Sequence, residues 1–573
     1  MNISDPWLTV LILAGGSLAQ KQLGPAPALS QHPADLPDGS TLARARIAGH
    51  YKNQCQGLVI RLLCDHNTGS PRPHRSDAWI KPLLISPQIA VIDSVRSALA
   101  QIQTPWLLLV PITTLPCGSL KPEASITLGH TAIPREDWSA VSQPNGPNPI
   151  FLSKTKPAPR NEPPSHPFTG EILAPRELME EALNDFISQD DRGDLLVLAQ
   201  RLHQYGHVDF RFQPWWDLGH RSTYSQARLS RLSSRSFNQV HYEAKGDLIR
   251  KSSNDIDRLQ QEHRYLNELP PAVRRYFPAL VATELKTSDD GWLSMEMDYI
   301  PFPNLAELFL HWRIGANGWV QIARRLHVIR TAFLEAAPQH TVTAANNQSW
   351  LYSGKLRLRL DQLTQNPPDI QSTLKLNWNS FWQQPLRLTL LKSDQAELLE
   401  LPKPAECCTK LLRELPAFEN GGPLQLIHGD FCFNNILAEP LSGSIRLIDP
   451  RGEQPEEATW PVGFGDPRYD LIKLLHSSFY LYDVVVNGLF QLSTTDKGLQ
   501  LRLDVPAQHT EADQALRKEL IQNELNAEEE RLLTSSLFFS MLPLHRSEPV
   551  HCIVLACIGI LIFERRFDRV LAP

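Results

Sequence analysis

The sequence predicts two domains in tandem, an α/β domain at the amino end and an α+β domain behind it. Three observations predict this. The apolar run Trp7-Leu-Thr-Val-Leu-Ile-Leu-Ala passes straight into Gly15-Gly16, as an α/β unit does when backbone amides must approach a phosphate closely. A hairpin pattern around Lys245-Gly246-Asp247 leads into a helix pattern. The stretch Leu424–Glu453 sets His428, Asp430, Asn435 and Asp449 among short apolar runs. At 573 residues the chain is also too long for one hydrophobic core.

Composition narrows the class. Hydrophobic residues make up 42% and charged residues 21%, which fits a globular protein. The formal net charge is −6, from 56 basic and 62 acidic residues, so nothing points to nucleic acid or an anionic membrane as partner. Eight cysteines without a CxxC pair form neither a disulfide framework nor a zinc site. Buried reduced thiols are expected, which favours a cytoplasmic location. Trp7–Ala14 lacks a basic leader and a small-residue cleavage site, so no signal peptide is expected. His551–Phe563 is too short to span a bilayer. It reads as a core helix.

In the first domain, strands are expected at the opening run, at Leu58–Leu63 and at Trp106–Val110, with helical patterns from Asp93 to Gln103 and from Arg176 to Gln204. The Pro-, Asn- and Ser-rich region from Ser142 to Pro167 reads as an irregular insertion. An Arg- and Ser-rich junction follows at Ser225–Arg235.

The second domain opens with alternation from Phe237, the turn at Lys245-Gly246-Asp247 and a second strand through Lys251. A helix from about Asp255 to Leu269 is closed by Pro270-Pro271. Trp292–Pro301 alternates into a break. Residues 305–420 read as largely helical, notably Leu308–Leu334 and Phe381–Leu415, with Trp350–Leu360 as a short strand pair. In Leu424–Glu453 the runs LQLI, NIL and IRLI read as strands, and the Ser-Gly-Ser turn makes the last two a hairpin. Histidine, aspartate, an asparagine five residues on and a further aspartate after the next strand is a phosphoryl-transfer spacing. One carboxylate stands near the attacking hydroxyl, while an amide oxygen and a second carboxylate hold magnesium.

The His428-Gly-Asp430, Asn435, Asp449 spacing resembles the HGDxxxxN…D signature of the aminoglycoside phosphotransferase and choline kinase group, which is protein-kinase-like in fold. Gly465-Asp-Pro-Arg-Tyr-Asp-Leu-Ile-Lys-Leu is similar to that group's GDPxYDLAxL helix start, and Met295–Pro301 to its MEYIPG hinge. The resemblance implies ATP and Mg2+ as cofactors and a small-molecule hydroxyl acceptor. It implies Asp430 as catalytic base, Asn435 and Asp449 as metal ligands, and Lys251 on the phosphates, with Arg250 as the runner-up and Glu262 as the lysine's ion-pair partner. It further implies Met297 and Asp298 as backbone contacts for adenine, with Asp470 and His428 bracing the site. Arg451, beside the metal site, meets either an anion or a surface carboxylate.

In the first domain, Leu13-Ala-Gly-Gly resembles the LAGGxGTR opening of sugar-nucleotide pyrophosphorylases, with Leu18 at the third glycine and Gln20 at the arginine. Trp215–Tyr224 is similar to the family's WxDxGxxxxY element, which makes Asp217 a metal ligand. The resemblance implies Gly15 and Gly16 on a nucleotide or sugar phosphate. Pro111 and Ile112 stand where a second metal-binding aspartate belongs, and one aspartate rarely suffices to clamp a divalent cation. Two readings stay open, an active domain and a degenerate one kept for binding or assembly.

The fold class expected is therefore an α/β nucleotidyltransferase-like (GT-A-like) domain over 1–225 and an α+β protein-kinase-like domain over 226–573, with an N-lobe at about 230–300 and a C-lobe at about 301–573. Such fusions resemble proteins of bacterial capsule and surface-polysaccharide biosynthesis. The activity implied is an ATP-dependent small-molecule kinase acting on a sugar, polyol or amino alcohol. The rivals are a bifunctional kinase/nucleotidyltransferase and a non-catalytic pseudokinase-like scaffold.

Overall fold

The computed structural model describes residues 6–13, 47, 50–51, 57–65, 80–86, 90–116, 120–121, 123–129, 139–146, 148–153, 165–184, 194–205, 208–213, 215–217, 238–243, 246–282, 284–287, 291–311, 314–336, 344–374, 376–391, 396–419, 422–439, 442–451, 458, 460–522 and 524–571. The chain divides into two compact units, Met1–Leu229 and Ser230–Pro573.

The first unit is built on strands β1 (Leu8–Leu13), β2 (Leu58–Asp65), β3 (Lys81–Ile85), β4 (Trp106–Pro111), β5 (Thr114–Pro116), β6 (Ser125–Gly129), β7 (Ala140–Ser142), β8 (Ile150–Leu152), β9 (Ser165–Pro175), β10 (Asp209–Gln213) and β11 (Trp215–Asp217). The sheet order is β10-β6-β9-β4-β1-β2-β3. The run from β4 to β3 is parallel, and β9 lies antiparallel to both β4 and β6. β1 is buried along its whole length because both faces are covered. Leu11 and Leu13 join one core with helices α1 (Val91–Leu99), α2 (Arg176–Asn184) and α3 (Leu195–Gln204), while Leu8, Val10 and Ile12 pack on the other face. Strand periodicity of two divides the run in this way. The β7–β8 hairpin falls inside the stretch read as irregular, and β7 pairs with β9.

The second unit opens with an antiparallel sheet of β12 (Asn238–Glu243), β13 (Leu248–Ser253), β14 (Lys286–Thr287) and β15 (Leu293–Asp298), in the order β12-β13-β15-β14. Helix α4 (Ile256–Glu268) starts at Asp255, whose carboxylate accepts the Arg258 N–H as an N-cap. It then buries Leu259, Glu262 and Leu266. The helical body follows with α5 (Leu305–His311), α6 (Gly315–Glu335), α7 (Lys355–Gln365), α8 (Pro404–Glu414), α9 (Pro467–Ser478), α10 (Tyr482–Val486), α11 (His509–Leu516), α12 (Ala527–Met541) and α13 (Pro549–Phe563).

Two expectations fail here. Trp350–Leu360 is a π turn running into α7, not a strand pair. Leu356, Leu358 and Leu360 alternate like a strand, but Leu356 is wholly buried and Leu358 is 56% exposed. Strand neighbours two apart would share a face. Nor is Phe381–Leu415 continuous helix. It contains the hairpin β16 (Leu386–Leu391) and β17 (Ala396–Leu401), which continues into β23 (Gly498–Leu503) and β22 (Phe490–Thr495). Parallel pairing with β23, over a hundred residues on, decides this region, and no local periodicity reports it.

α13 is apolar on every side and buried throughout Cys552–Phe563, so it forms the centre of the body. Among the described residues no helix is long and apolar enough to cross a membrane. Cys407, Cys408, Cys432, Cys552 and Cys557 are buried free thiols.

Candidate active site

The hairpin β19 (Ile436–Ala438) and β20 (Ile445–Leu447) carries the site, with β18 (Gln425–Leu426) leading into it and β21 (Phe464–Gly465) paired to β18. Between β18 and β19 the chain turns through His428-Gly429-Asp430, where Gly429 has φ +76°. A β-carbon there would lie 2.8 Å from the Arg451 carbonyl oxygen. Two backbone segments therefore touch at Gly429, and only glycine combines this φ with that approach.

Helix α9 holds the turn. Asp466, Asp470, Lys473 and Ser477 recur at spacings of four, three and four and so form one stripe. Asp466 caps the helix and pairs with Arg468. The Asp470 carboxylate accepts the His428 N–H at 2.8 Å and the Gly429 N–H at 2.9 Å. Burial pushes its pKa up to about 6 despite these two donors. Ser477 Oγ accepts the Phe433 N–H at 3.1 Å.

His428 is completely buried, stacked on Phe277 with ring centroids 5.8 Å apart. Its Nε2 lies 3.1 Å from the Ile448 carbonyl, and its Nδ1 accepts the Asp430 N–H at 3.2 Å. That pair of partners selects the neutral tautomer with hydrogen on Nε2. Burial lowers its pKa to about 4. The ring thus couples the backbone before Asp449 to the backbone of Asp430.

Asp430 lies between two cations. Lys473 Nζ is 3.0 Å from Oδ1 and Arg451 Nε is 3.2 Å from Oδ2. Burial alone would raise the Asp430 pKa, but the Lys473 ammonium outweighs it and holds the carboxyl below its ordinary range. Asn435 donates through Nδ2 to the Asp430 carbonyl at 2.9 Å, so its Oδ1 is the side-chain atom with lone pairs to offer a cation. Asp449 has φ +58°.

From the other end of the unit, Lys251 on β13 meets Glu262 of α4 with both carboxylate oxygens, at 2.8 and 2.5 Å, and also bonds Asp449. Lys251 and Glu262 are 8% and 6% exposed. Desolvation works against the ammonium, yet the two carboxylates prevail and keep Lys251 protonated. Lys251, Glu262, Asp449, Arg451, Asp430 and Lys473 form one connected chain of charges.

A cavity of about 150 Å³ lies over this chain, lined by Gly429, Asp430, Asn435, Asp449, Arg451 and Lys473 and, further out, by Arg258, Trp350, Lys355, Arg359, Trp460, Tyr469, His476 and Tyr482. Hard oxygen donors from Asn435 and Asp449 in the same cavity suit magnesium. Among the described residues no cluster of three or more His, Cys, Asp or Glu side chains could hold a metal.

Met297 and Asp298 end β15, away from that cavity lining. Met297 is buried, and the Asp298 N–H already donates to the Ala279 carbonyl at 3.0 Å. The structure therefore does not bring these two to the charged chain. In the first unit, Gly15 and Gly16 lie outside the described residues. Asp217 ends β11 opposite Thr114 of β5, and its side chain also lies outside them. At the end of β4, Ile112 is buried and its N–H donates to the Leu13 carbonyl, an apolar position where a metal-binding aspartate was sought. Sequence reasoning missed Lys473, which stands one turn beyond Asp470 on the bracing stripe. That i, i+3 relation was the available signal.

No family model matches the sequence, and no curated protein matches it. Among solved structures the chain is similar to a UTP-bound UGPase from Acinetobacter baumannii, at 14% identity over 39% of this chain and 93% of that one, TM-score 0.30. It is similar to a UDP-glucose pyrophosphorylase complexed with UDP-glucose, at 10% identity over 39% and 97%, TM-score 0.32. It is also similar to an apo thermostable mutant of aminoglycoside phosphotransferase APH(4)-Ia, at 12% identity over 58% and 93%, TM-score 0.36. The first unit is thus a mixed sheet with helices, an α/β arrangement, and the second an antiparallel sheet ahead of a helical body, an α+β arrangement.

Proposed function

We propose that the second unit is a kinase that moves the γ-phosphate of ATP to the hydroxyl of a small molecule. One observation carries this reading. Lys251 with Glu262, from the β-sheet end, and Asp449 with Asp430, from the helical end, join in one charged chain. In this reading Lys251 binds the nucleotide phosphates, and Asn435 and Asp449 would hold a magnesium ion that would supply neutralising charge when bound. Asp430 receives the acceptor hydroxyl as hydrogen-bond donor and orients its oxygen in line with phosphorus. The O–P bond forms as the bond from phosphorus to the ADP oxygen breaks, and the hydroxyl proton passes to the Asp430 carboxylate. A carboxylate held ionised between Lys473 and Arg451 is a weak base, which suits a loose transition state in which the proton leaves late. Met297 and Asp298 stay candidates for adenine only through groups other than the Asp298 N–H.

For the first unit we infer a nucleotide or sugar-phosphate site where β1 and β4 end, the crevice at which parallel sheets of this kind bind ligands. Gly15 and Gly16 follow β1 directly in sequence. A cytoplasmic enzyme of surface-polysaccharide or capsule biosynthesis accommodates both units. The decisive experiment is transfer of radiolabelled γ-phosphate to a panel of sugars, polyols, hydroxy acids and amino alcohols, with Asp430→Asn alongside. Transfer lost in Asp430→Asn supports the kinase, whereas Mg-ATP binding with no acceptor labelled makes the scaffold reading the better one.

A further inference from the structure

The cavity holds a cation that stands outside the charged chain. Lys355 lines it together with Arg451 and Lys473. Lys473 and Arg451 are taken by Asp430. Lys355, the first residue of α7, is half-buried and meets no carboxylate among the described residues. Its ammonium donates to the Tyr469 hydroxyl at 3.0 Å and sits 5.3 Å from that ring's centroid. A half-buried ammonium with no carboxylate partner can receive an anion by a charge-assisted hydrogen bond. Arg359 lies one turn along α7 and lines the same cavity.

A second, independent observation points to a polar ligand in the same cavity. His476 lines the cavity, is 1% exposed and has, among the described residues, no hydrogen-bond partner on either ring nitrogen. It stacks on Tyr482 with centroids 3.9 Å apart, and burial lowers its pKa well below the ordinary value. A neutral imidazole with both nitrogens unsatisfied lacks a polar ligand such as a hydroxyl.

Resting on the kinase reading above, we propose that the acceptor is an anion: a small hydroxylated compound bearing a carboxylate or phosphate, which Lys355 receives while Asp430 faces its hydroxyl. Size follows from the helix. Tyr469, which holds Lys355, is one turn from Lys473, which holds Asp430, so anion and reacting hydroxyl lie roughly one to two helical turns apart, about 5–10 Å. A sugar phosphate or a sugar acid spans that distance. A polyamine meets the wrong charge.

Calorimetric titration of the whole protein tests this without any turnover. The probes are glucose 6-phosphate and gluconate, the neutral isosteres glucose and sorbitol, and the polyamine spermidine. At least one anion is expected to bind roughly tenfold or more tighter than its neutral counterpart and than spermidine. Lys355→Met should erase that margin and Lys355→Arg should restore most of it, with the melting temperature recorded for both. Neutral or polyamine probes binding as well as the anions, no binding by any probe, or an anion margin untouched in Lys355→Met each overturn the proposal. The kinase reading fails differently. If the anions bind at Lys355 but no label passes to them from ATP, the anion site stands and phosphoryl transfer falls.

Discussion

Lys251 and Asp449, 198 positions apart in the chain, form a direct ion pair that joins the β-sheet of the second unit to the segment that follows the β19–β20 hairpin. Glu262 completes the triad from α4. Removing the lysine leaves two carboxylates, one of them buried, without their shared counter-charge. Lys251→Met is therefore expected to lower stability by about 3–5 kcal/mol, read by urea unfolding. Glu262→Gln leaves the ammonium with Asp449 and should lose less. If both variants unfold like the parent, the triad does not hold these parts together.

If the second unit is the kinase proposed above, Asp430→Asn removes the carboxylate oxygen that would receive the acceptor proton. The rate constant for transfer should fall on the order of 10²–10⁴-fold, while the Kd for Mg-ATP stays within a few-fold. A parallel loss in nucleotide binding would place Asp430 on the nucleotide instead. Steady-state kinetics beside calorimetry separates the two.

Lys473 holds the Asp430 carboxyl below its ordinary pKa. Its ammonium favours the ionised form, so in Lys473→Met the acid limb of the kcat/KM profile should move to higher pH. A limb that keeps its position would show that Asp430 does not govern it.

His428 gives a stability signature. Its folded pKa of about 4 lies below the unfolded value near 6.5, so between these values the unfolded chain binds more protons. The stability this group contributes is then complete above pH 6.5 and lost as pH falls toward 4, to a limit of about 3 kcal/mol. Other groups titrate in both wild type and His428→Asn. The gap in unfolding free energy between the two proteins should thus narrow on acidification. A gap constant from pH 7 to 4 would contradict a buried neutral ring.

Gly429→Ala should destabilise by roughly 1–3 kcal/mol and lower kcat, because the new methyl meets the Arg451 carbonyl and the backbone has positive φ. A variant with parental stability and rate would refute the backbone contact.

Much of this site was legible in the sequence where chemistry follows spacing. His428, Asp430, Asn435 and Asp449 are close in the chain, and the hairpin that carries them has its turn written between its strands. Glu262 was readable only through the family resemblance, since a glutamate on a helix is ordinarily a surface residue. The hidden parts are those set by tertiary pairing. Leu386–Leu401 becomes a hairpin because β23 lies beside it. Lys355 and His476 reach the cavity only through the packing of α7 and α9, and neither stands in a motif. Lys473 lay within a recognised motif, at a position whose role depends on what α9 faces.

The left-handed backbone of Asp449 has a consequence for how this position can vary. Apart from glycine, aspartate and asparagine are among the few residues that enter that conformation readily, through their short polar side chains. The peptide chain therefore screens the amino-acid alphabet before any chemistry does, and the residue it favours also carries the oxygen charge. A saturation library at 449 should sort into three tiers: aspartate folded and active, asparagine and glycine folded and silent, and β-branched residues depleted for want of fold. Neutral drift from active enzyme to silent binding protein would pass through asparagine, one proton-titrating oxygen away.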